Sequence, residues 1–106
     1  VAESTLAGGV DAARQGYYSQ AAQILKPLAR QGNGQAQFNL ALMYHSGLGV
    51  SRDEAKAVRL YHESAANGYP VAQEYLSVGY AEGWFGLGED PLKAKYWQEK
   101  AEDQMQ

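Results

Sequence analysis

The sequence predicts an all-α fold, a short solenoid of about three antiparallel helix pairs. Three observations carry that expectation: a block of residues recurs at a fixed offset, apolar positions follow helical spacing, and helix-start and helix-stop residues fall between the blocks. The recurrence is the strongest. Ala36, Gln37, Leu40, Tyr44 and Gly47 return 36 positions later as Ala72, Gln73, Leu76, Tyr80 and Gly83. Beyond the glycines the offset is 37, since Asp53, Lys56 and Ala57 return as Asp90, Lys93 and Ala94. One residue is therefore added within Gly83-Trp84-Phe85-Gly86-Leu87-Gly88. Upstream, Ala21, Ala29 and Gly32 precede Ala57, Ala65 and Gly68 by 36, so the register reaches the N-terminal third. The helix pairs are expected at roughly 3–31, 34–67 and 70–103 of a single domain spanning 1–106.

The first helix, over 3–15, rests on Leu6, Val10, Ala13 and Ala2, a pattern diluted by Gly8 and Gly9. The second is a clear amphipath through Tyr17, Ala21, Ile24, Leu25, Leu28 and Ala29. Pro27 lies inside it and should remove a backbone hydrogen bond and kink the last turn. The third places Ala36, Leu40, Met43 and Tyr44 on one face and Phe38 and Leu42 on another, as in a helix sandwiched between neighbours. Gly47-Leu48-Gly49-Val50 then turns the chain. The fourth buries Ala57, Leu60, Tyr61, Ser64 and Ala65 and turns Lys56, Arg59, His62 and Glu63 to solvent. Ser51 and Asp53 can cap it, and Glu54 stands three after Ser51 in capping-box register. Gly32 and Gly68 fall where helices end on a left-handed residue. Pro70 suits the first turn of the fifth helix, and Asp90-Pro91 supplies a cap and a first-turn proline for the sixth.

Composition narrows the function. A net charge of −3 argues against nucleic acid as a partner, and no Lys/Arg cluster is expected. No apolar run approaches membrane-span length. The absence of Cys removes disulfides, thiolate metal sites and cysteine nucleophiles. Val1 at the start permits an upstream segment removed by processing, and a periplasmic or secreted setting is favoured over a cytoplasmic one.

No catalytic set emerges either. His45 and His62 lack a second ligand at helical metal-pair spacing. The serines stand outside any nucleophile elbow, and Gly83, Gly86 and Gly88 lack the basic residue of a phosphate loop. No catalytic, cofactor-binding or metal residue is expected, and the chain is not expected to be an enzyme.

The run Ala36-Gln37-Phe38-Asn39-Leu40-Ala41-Leu42-Met43-Tyr44, with Gly47-Leu48-Gly49-Val50, Asp53, Lys56-Ala57, Leu60-Tyr61 and Ala65-Ala66-Asn67-Gly68, resembles a Sel1-like repeat. The second unit is similar through Ala72-Gln73, Leu76, Tyr80, Gly83, Asp90, Lys93-Ala94, Trp97 and Lys100-Ala101. That family is related to the tetratricopeptide repeats, and the resemblance implies a right-handed α-α superhelix that binds proteins or peptides. Ala41, Gly79 and the enlarged Trp84-Phe85 loop depart from the family pattern.

By the same resemblance, the inner helices line a concave groove. Its expected contacts are Gln35, Phe38, Asn39, Leu42 and His45 in one unit and Val71, Glu74, Tyr75, Val78 and Glu82 in the next. Phe38, Leu42 and Val78 could equally pack against a neighbouring pair. Trp84 and Phe85 are a second candidate contact, or a cap on the end of the stack. The expected role is a non-enzymatic adaptor or scaffold that is monomeric or weakly self-associating. The alternatives are a structural or envelope-associated protein acting through its ends and, more remotely, a hydrolase.

Overall fold

The computed structural model describes residues 5–84 and 86–104. Within them lie six helices and no strand: α1 (Leu6–Arg14), α2 (Tyr18–Arg30), α3 (Gly34–Ser46), α4 (Glu54–Ala66), α5 (Pro70–Glu82) and α6 (Pro91–Gln104). The helices pack as the pairs α1/α2, α3/α4 and α5/α6. Each pair joins the next through α2 on α3 and α4 on α5. This is the expected all-α solenoid, drawn out to 42 × 31 × 21 Å.

Most helix boundaries fall where the sequence places them. Gly32 and Gly68 take positive φ of 90° and 86° just beyond α2 and α4, a conformation that costs glycine nothing. Pro70 opens α5 and Pro91 opens α6. Pro27 does not end α2, which continues to Arg30, and the Pro27 carbonyl accepts from the Gln31 N–H at 3.1 Å. Two ends differ from expectation. Helix α1 starts at Leu6 on a Thr5 cap rather than at residue 3, and Ala2 lies outside the described residues. The Ser51/Glu54 capping box does not form. Asp53 directly precedes the helix, and its carboxylate accepts the Lys56 N–H at 3.0 Å, setting a negative charge at the helix N-terminus.

The same bonds explain how the second loop accepts an extra residue. The Asp53 N–H donates to the Tyr44 carbonyl at 2.9 Å, and the Asp90 N–H donates to the Tyr80 carbonyl at 2.9 Å. Both loops are thus pinned at equivalent points, with the added residue lying between the two pinned ends of the second.

The core is built from small residues and rings. Ala36, Ala57, Ala65, Ala72, Ala94 and Ala101 are all buried, so helix backbones approach closely. Gly9 goes further: a Cβ there would stand 2.9 Å from Leu25 Cδ2, so the glycine that dilutes the α1 pattern is what lets α1 lie against α2. Gly79 is buried as well, and its missing side chain is replaced from the loop. A Cβ at Gly79 would meet Leu87 Cδ1 at 2.8 Å and Trp84 at 3.6 Å. The absent bulky side chain and the enlarged loop compensate each other.

Gln37 and Gln73 show why the repeat keeps a buried amide. Gln37 Nε2 donates to the Ala29 carbonyl and Gln73 Nε2 to the Ala65 carbonyl, each at 3.0 Å. Each amide adds a side-chain donor to a carbonyl at the end of the preceding outer helix, which also accepts a backbone N–H from Gly32 or Gly68. Asn67 Nδ2 completes the first site by donating to Gln37 Oε1 at 2.9 Å, whereas Gln73 Oε1 is buried without a partner.

Candidate interaction surfaces

The expected contact residues divide sharply by burial. Phe38 is only 8% exposed, and its ring centre lies 5.4–5.6 Å from those of Tyr61, Tyr69 and Tyr75. It therefore packs against the following pair, the second of the two roles open to it from sequence. Leu42 is half-buried against the same core. Asn39 is half-buried, and its Nδ2 donates to the Gln35 carbonyl at 2.8 Å, so part of the amide is already spent within α3. Gln35 lines a recess of about 290 Å³ with Val10, Asp11 and Arg14 of α1.

His45 stands half-buried at the end of α3, with Nδ1 3.4 Å from the Tyr61 hydroxyl. Burial, together with the hydrogen bond and charge of Tyr75, raises that hydroxyl far above the ordinary phenol range. The pair sets the Tyr61 phenol beside the His45 imidazole. His62 departs from its expected solvent-facing place. Its Nε2 lies 2.7 Å from the Tyr80 hydroxyl, its Nδ1 2.9 Å from the Val58 carbonyl, and its ring meets Trp97. It is a joint between repeats. Among the described residues no group of three or more His, Cys, Asp or Glu side chains could hold a metal ion, and no helix is long and apolar enough to cross a membrane.

In the second unit the picture reverses. Val71 and Val78 are 46% and 41% exposed, and Glu74 and Glu82 are exposed with them. These four occupy i, i+3, i+7 and i+11 of α5, one continuous helix face. Tyr75 is held from below, stacked on Tyr61 at 4.8 Å and edge-on to Trp84 at 5.2 Å. Trp84 folds back along α5, and its Nε1 donates to Glu82 Oε1 at 2.8 Å. Its ring covers the chain rather than projecting from it. Phe85 lies outside the described residues.

The difference follows from the register. Phe38, Leu42 and Tyr61 are buried or half-buried because α5 lies over them. Among the described residues no further helix lies over their equivalents Glu74, Val78 and Gln98, which line, with Ala101 and Glu102, an open cavity of about 440 Å³. Position for position, an aromatic joint has become a polar-rimmed face with an aliphatic centre. The repeat alignment contains this substitution pattern, and reading Phe38 with its counterpart Glu74 would have separated core from surface.

A second surface lies between the outer helices. A cleft of about 510 Å³ between α2 and α4 is lined by Lys26, Arg30, Lys56 and Arg59, with Leu40, Leu60 and Tyr44 beneath. Glu63 is its one acidic residue and lies 3.9 Å from Arg59. The cleft corrects the expectation that the chain has no Lys/Arg cluster, which holds only for consecutive residues. The fold gathers these four from two helices about 30 positions apart, which a search for consecutive charges cannot find.

The repeat signal is matched by a family model. The Sel1 repeat model matches residues 34–69 and 70–104, well over half of the chain. The chain belongs to the Sel1 repeat family. This Sel1 repeat chain is 34% identical to a Sel1 repeat protein of known structure from Oxalobacter formigenes, with a TM-score of 0.71 over 74% of this chain and 59% of that one. It is 36% identical, again with a TM-score of 0.71, to a protective antigen of uropathogenic Escherichia coli that displays an SLR fold, covering 84% of this chain and 19% of that one. Among curated proteins it is 46% identical over 48 residues to the DAP3-binding cell death enhancer 1 of Rattus norvegicus. It is 37% identical over 62 residues to the ERAD-associated E3 ubiquitin-protein ligase component HRD3A of Arabidopsis thaliana. These stretches cover 45% and 58% of this chain but 9% of either relative, so the likeness is to one repeat segment of much longer proteins.

Proposed function

We propose that this Sel1 repeat chain is a non-catalytic protein-interaction module that takes a segment of a protein partner on the side formed by α1, α3 and α5. Sel1 repeat proteins are in general interaction adaptors, and the relatives named above include a DAP3-binding protein and a component of a ubiquitin ligase. The observation that carries the reading is the α5 face. Val71 and Val78 stand exposed within a frame of Glu74 and Glu82, where the preceding unit buries Phe38 and Leu42 at the positions of Glu74 and Val78. An aliphatic centre with a polar rim suits a protein segment that buries a few apolar side chains and leaves its charges in water. Gln35 and Asn39 extend the surface across α3 with amide groups suited to a peptide backbone.

Site-specific photo-crosslinking tests this. A benzoylphenylalanine placed at Val71, at Val78 or at Asn39 is expected to capture a common partner segment. The same group at Gln23, on the exposed side of α2, is expected not to. Capture from Gln23 alone, or equally from all positions, would count against the assignment.

The exposed Val71 and Val78 favour a second reading, self-association of this chain through α5 and α6. Light scattering across a concentration series decides it: a mass that rises with concentration and returns to one chain in Val78→Glu supports end-to-end pairing.

A further inference from the structure

We propose that the cleft between α2 and α4 is a second, separate docking surface, specific for an acidic peptide segment. Lys26, Arg30, Lys56 and Arg59 bring four of the nine basic residues of a net-acidic chain to one 510 Å³ recess. Only Glu63 opposes them. Among the described residues, Lys26 and Arg30 have no carboxylate within ion-pair distance. Lys26 and Lys56 are half-buried, and Lys56 Nζ stands 4.7 Å from the centre of the Tyr44 ring. The floor is apolar, with Ala29, Leu40 and Leu60, so the recess combines fixed positive charge with a surface for aliphatic groups.

The corresponding recess of the next repeat shows that this charge is no by-product of the fold. His62 stands where Lys26 does, Ala66 for Arg30, Tyr96 for Arg59 and Trp97 for Leu60. There the rings fill the space: the recess shrinks to about 220 Å³, and Lys100 is the one charged side chain among the described residues lining it. His62 also closes onto the Tyr80 hydroxyl. The same backbone geometry thus carries an aromatic plug at one joint and an open cationic trough at the other. Clustered like charges destabilise a folded chain slightly, and an acidic ligand relieves that repulsion. A folded nucleic-acid partner fits less well, because acidic side chains dominate the rest of the chain and would repel a long phosphate backbone.

The test is fluorescence anisotropy with the 106-residue chain and a rhodamine-labelled octapeptide of alternating Glu and Leu. A Gln/Leu octapeptide and a thymidine oligonucleotide serve as competing probes. The Glu/Leu peptide is expected to bind at low ionic strength and to weaken steeply between about 50 and about 200 mM salt. Lys26→Gln with Arg30→Gln is expected to weaken it about tenfold or more, and Arg59→Gln alone to weaken it less, with far-UV circular dichroism unchanged in each. Lys93→Gln with Lys95→Gln removes the same charge elsewhere and is expected to leave binding within about twofold, as is Val71→Ser on the α5 face. The last variant keeps this proposal separate from the surface proposed above. Equal loss in the Lys93/Lys95 variant, equal binding of the Gln/Leu peptide, or tighter binding of the oligonucleotide would overturn the assignment. So would a concentration-dependent rise in mass that the Lys26/Arg30 variant abolishes, since the trough would then belong to a second copy.

Discussion

Phe38→Ala and Glu74→Ala are the same substitution made at one register position of two successive repeats, and the structure predicts opposite outcomes. The Phe38 ring is the centre of an aromatic joint with Tyr61, Tyr69 and Tyr75, and it is 8% exposed. Truncating a buried Phe costs about 3–5 kcal/mol through lost transfer energy and the cavity left behind. Three ring contacts at 5.4–5.6 Å place this site at the upper end of that range. For a chain of this size each kcal/mol lowers Tm by about 4–6 °C, so the expected fall is on the order of 20–30 °C. Glu74 is exposed on α5, and its truncation is expected to change stability by about 0.5 kcal/mol or less.

Urea and thermal unfolding followed by circular dichroism measure both variants against the parent chain. The urea midpoint of Phe38→Ala is expected to fall with little change in slope, which marks lost stability rather than a changed denatured state. A cost below about 1 kcal/mol, or one equal to that of Glu74→Ala, would refute the reasoning. Phe38 would then be a surface residue of the groove, and the division between covered and open repeat faces would collapse.

The buried amides give a similar contrast. Gln37→Leu loses two side-chain hydrogen bonds, at about 1–3 kcal/mol, whereas Gln73→Leu loses one and also removes an orphan acceptor, and should cost at least about 1 kcal/mol less in the same urea unfolding. Gly79→Leu overfills the space taken by Leu87 and is expected to cost about 1–3 kcal/mol. Adding Leu87→Ala should recover part of that, and additive losses in the double-mutant cycle would show that loop and helix are not coupled. At high pH, Tyr61 contributes through its raised pKa: the folded state holds the proton where the unfolded chain releases it. That contribution is complete below the ordinary phenol pKa of about 10 and is lost as pH rises above it. Alkaline unfolding should therefore be shallower in Tyr61→Phe, and an unchanged profile would remove Tyr61 from the cause.

Most of the fold was legible in the sequence because it depends on local chemistry repeated in register. Asp53 and Asp90, Gln37 and Gln73, and Tyr44 and Tyr80 each make the same contact twice, so one alignment reads both. What escaped is non-local. Gly9 looks like a weak point in a helix until Leu25 is seen 2.9 Å from where its Cβ would be. His62 falls on the polar side of its own helix, yet it is claimed by Tyr80 and Trp97 of the next pair. The Ser51 cap lost to Asp53 because two acceptors competed for one helix start, and adjacency decided between them. Lys26 and Arg30 meet Lys56 and Arg59 through the packing of α2 on the α3/α4 pair, which no window along the chain contains.

These cases share a logic that bears on where function resides in a repeat protein. Identity between units is enforced by the backbone: an amide must reach the end of the previous outer helix, and a small residue must sit where helices cross. Such positions are fixed by folding and are indifferent to a partner. Difference between units is unconstrained by that geometry, so it carries whatever is particular to the chain. Phe38 against Glu74 converts a joint into a face, and Lys26 and Arg59 against His62 and Tyr96 convert a plug into a trough. Both proposed surfaces therefore lie at departures from the register, one on α5 and the other between α2 and α4. If both proposals hold, substitution at one surface should leave binding at the other intact, which Val71→Ser and the Lys26/Arg30 variant test against each other.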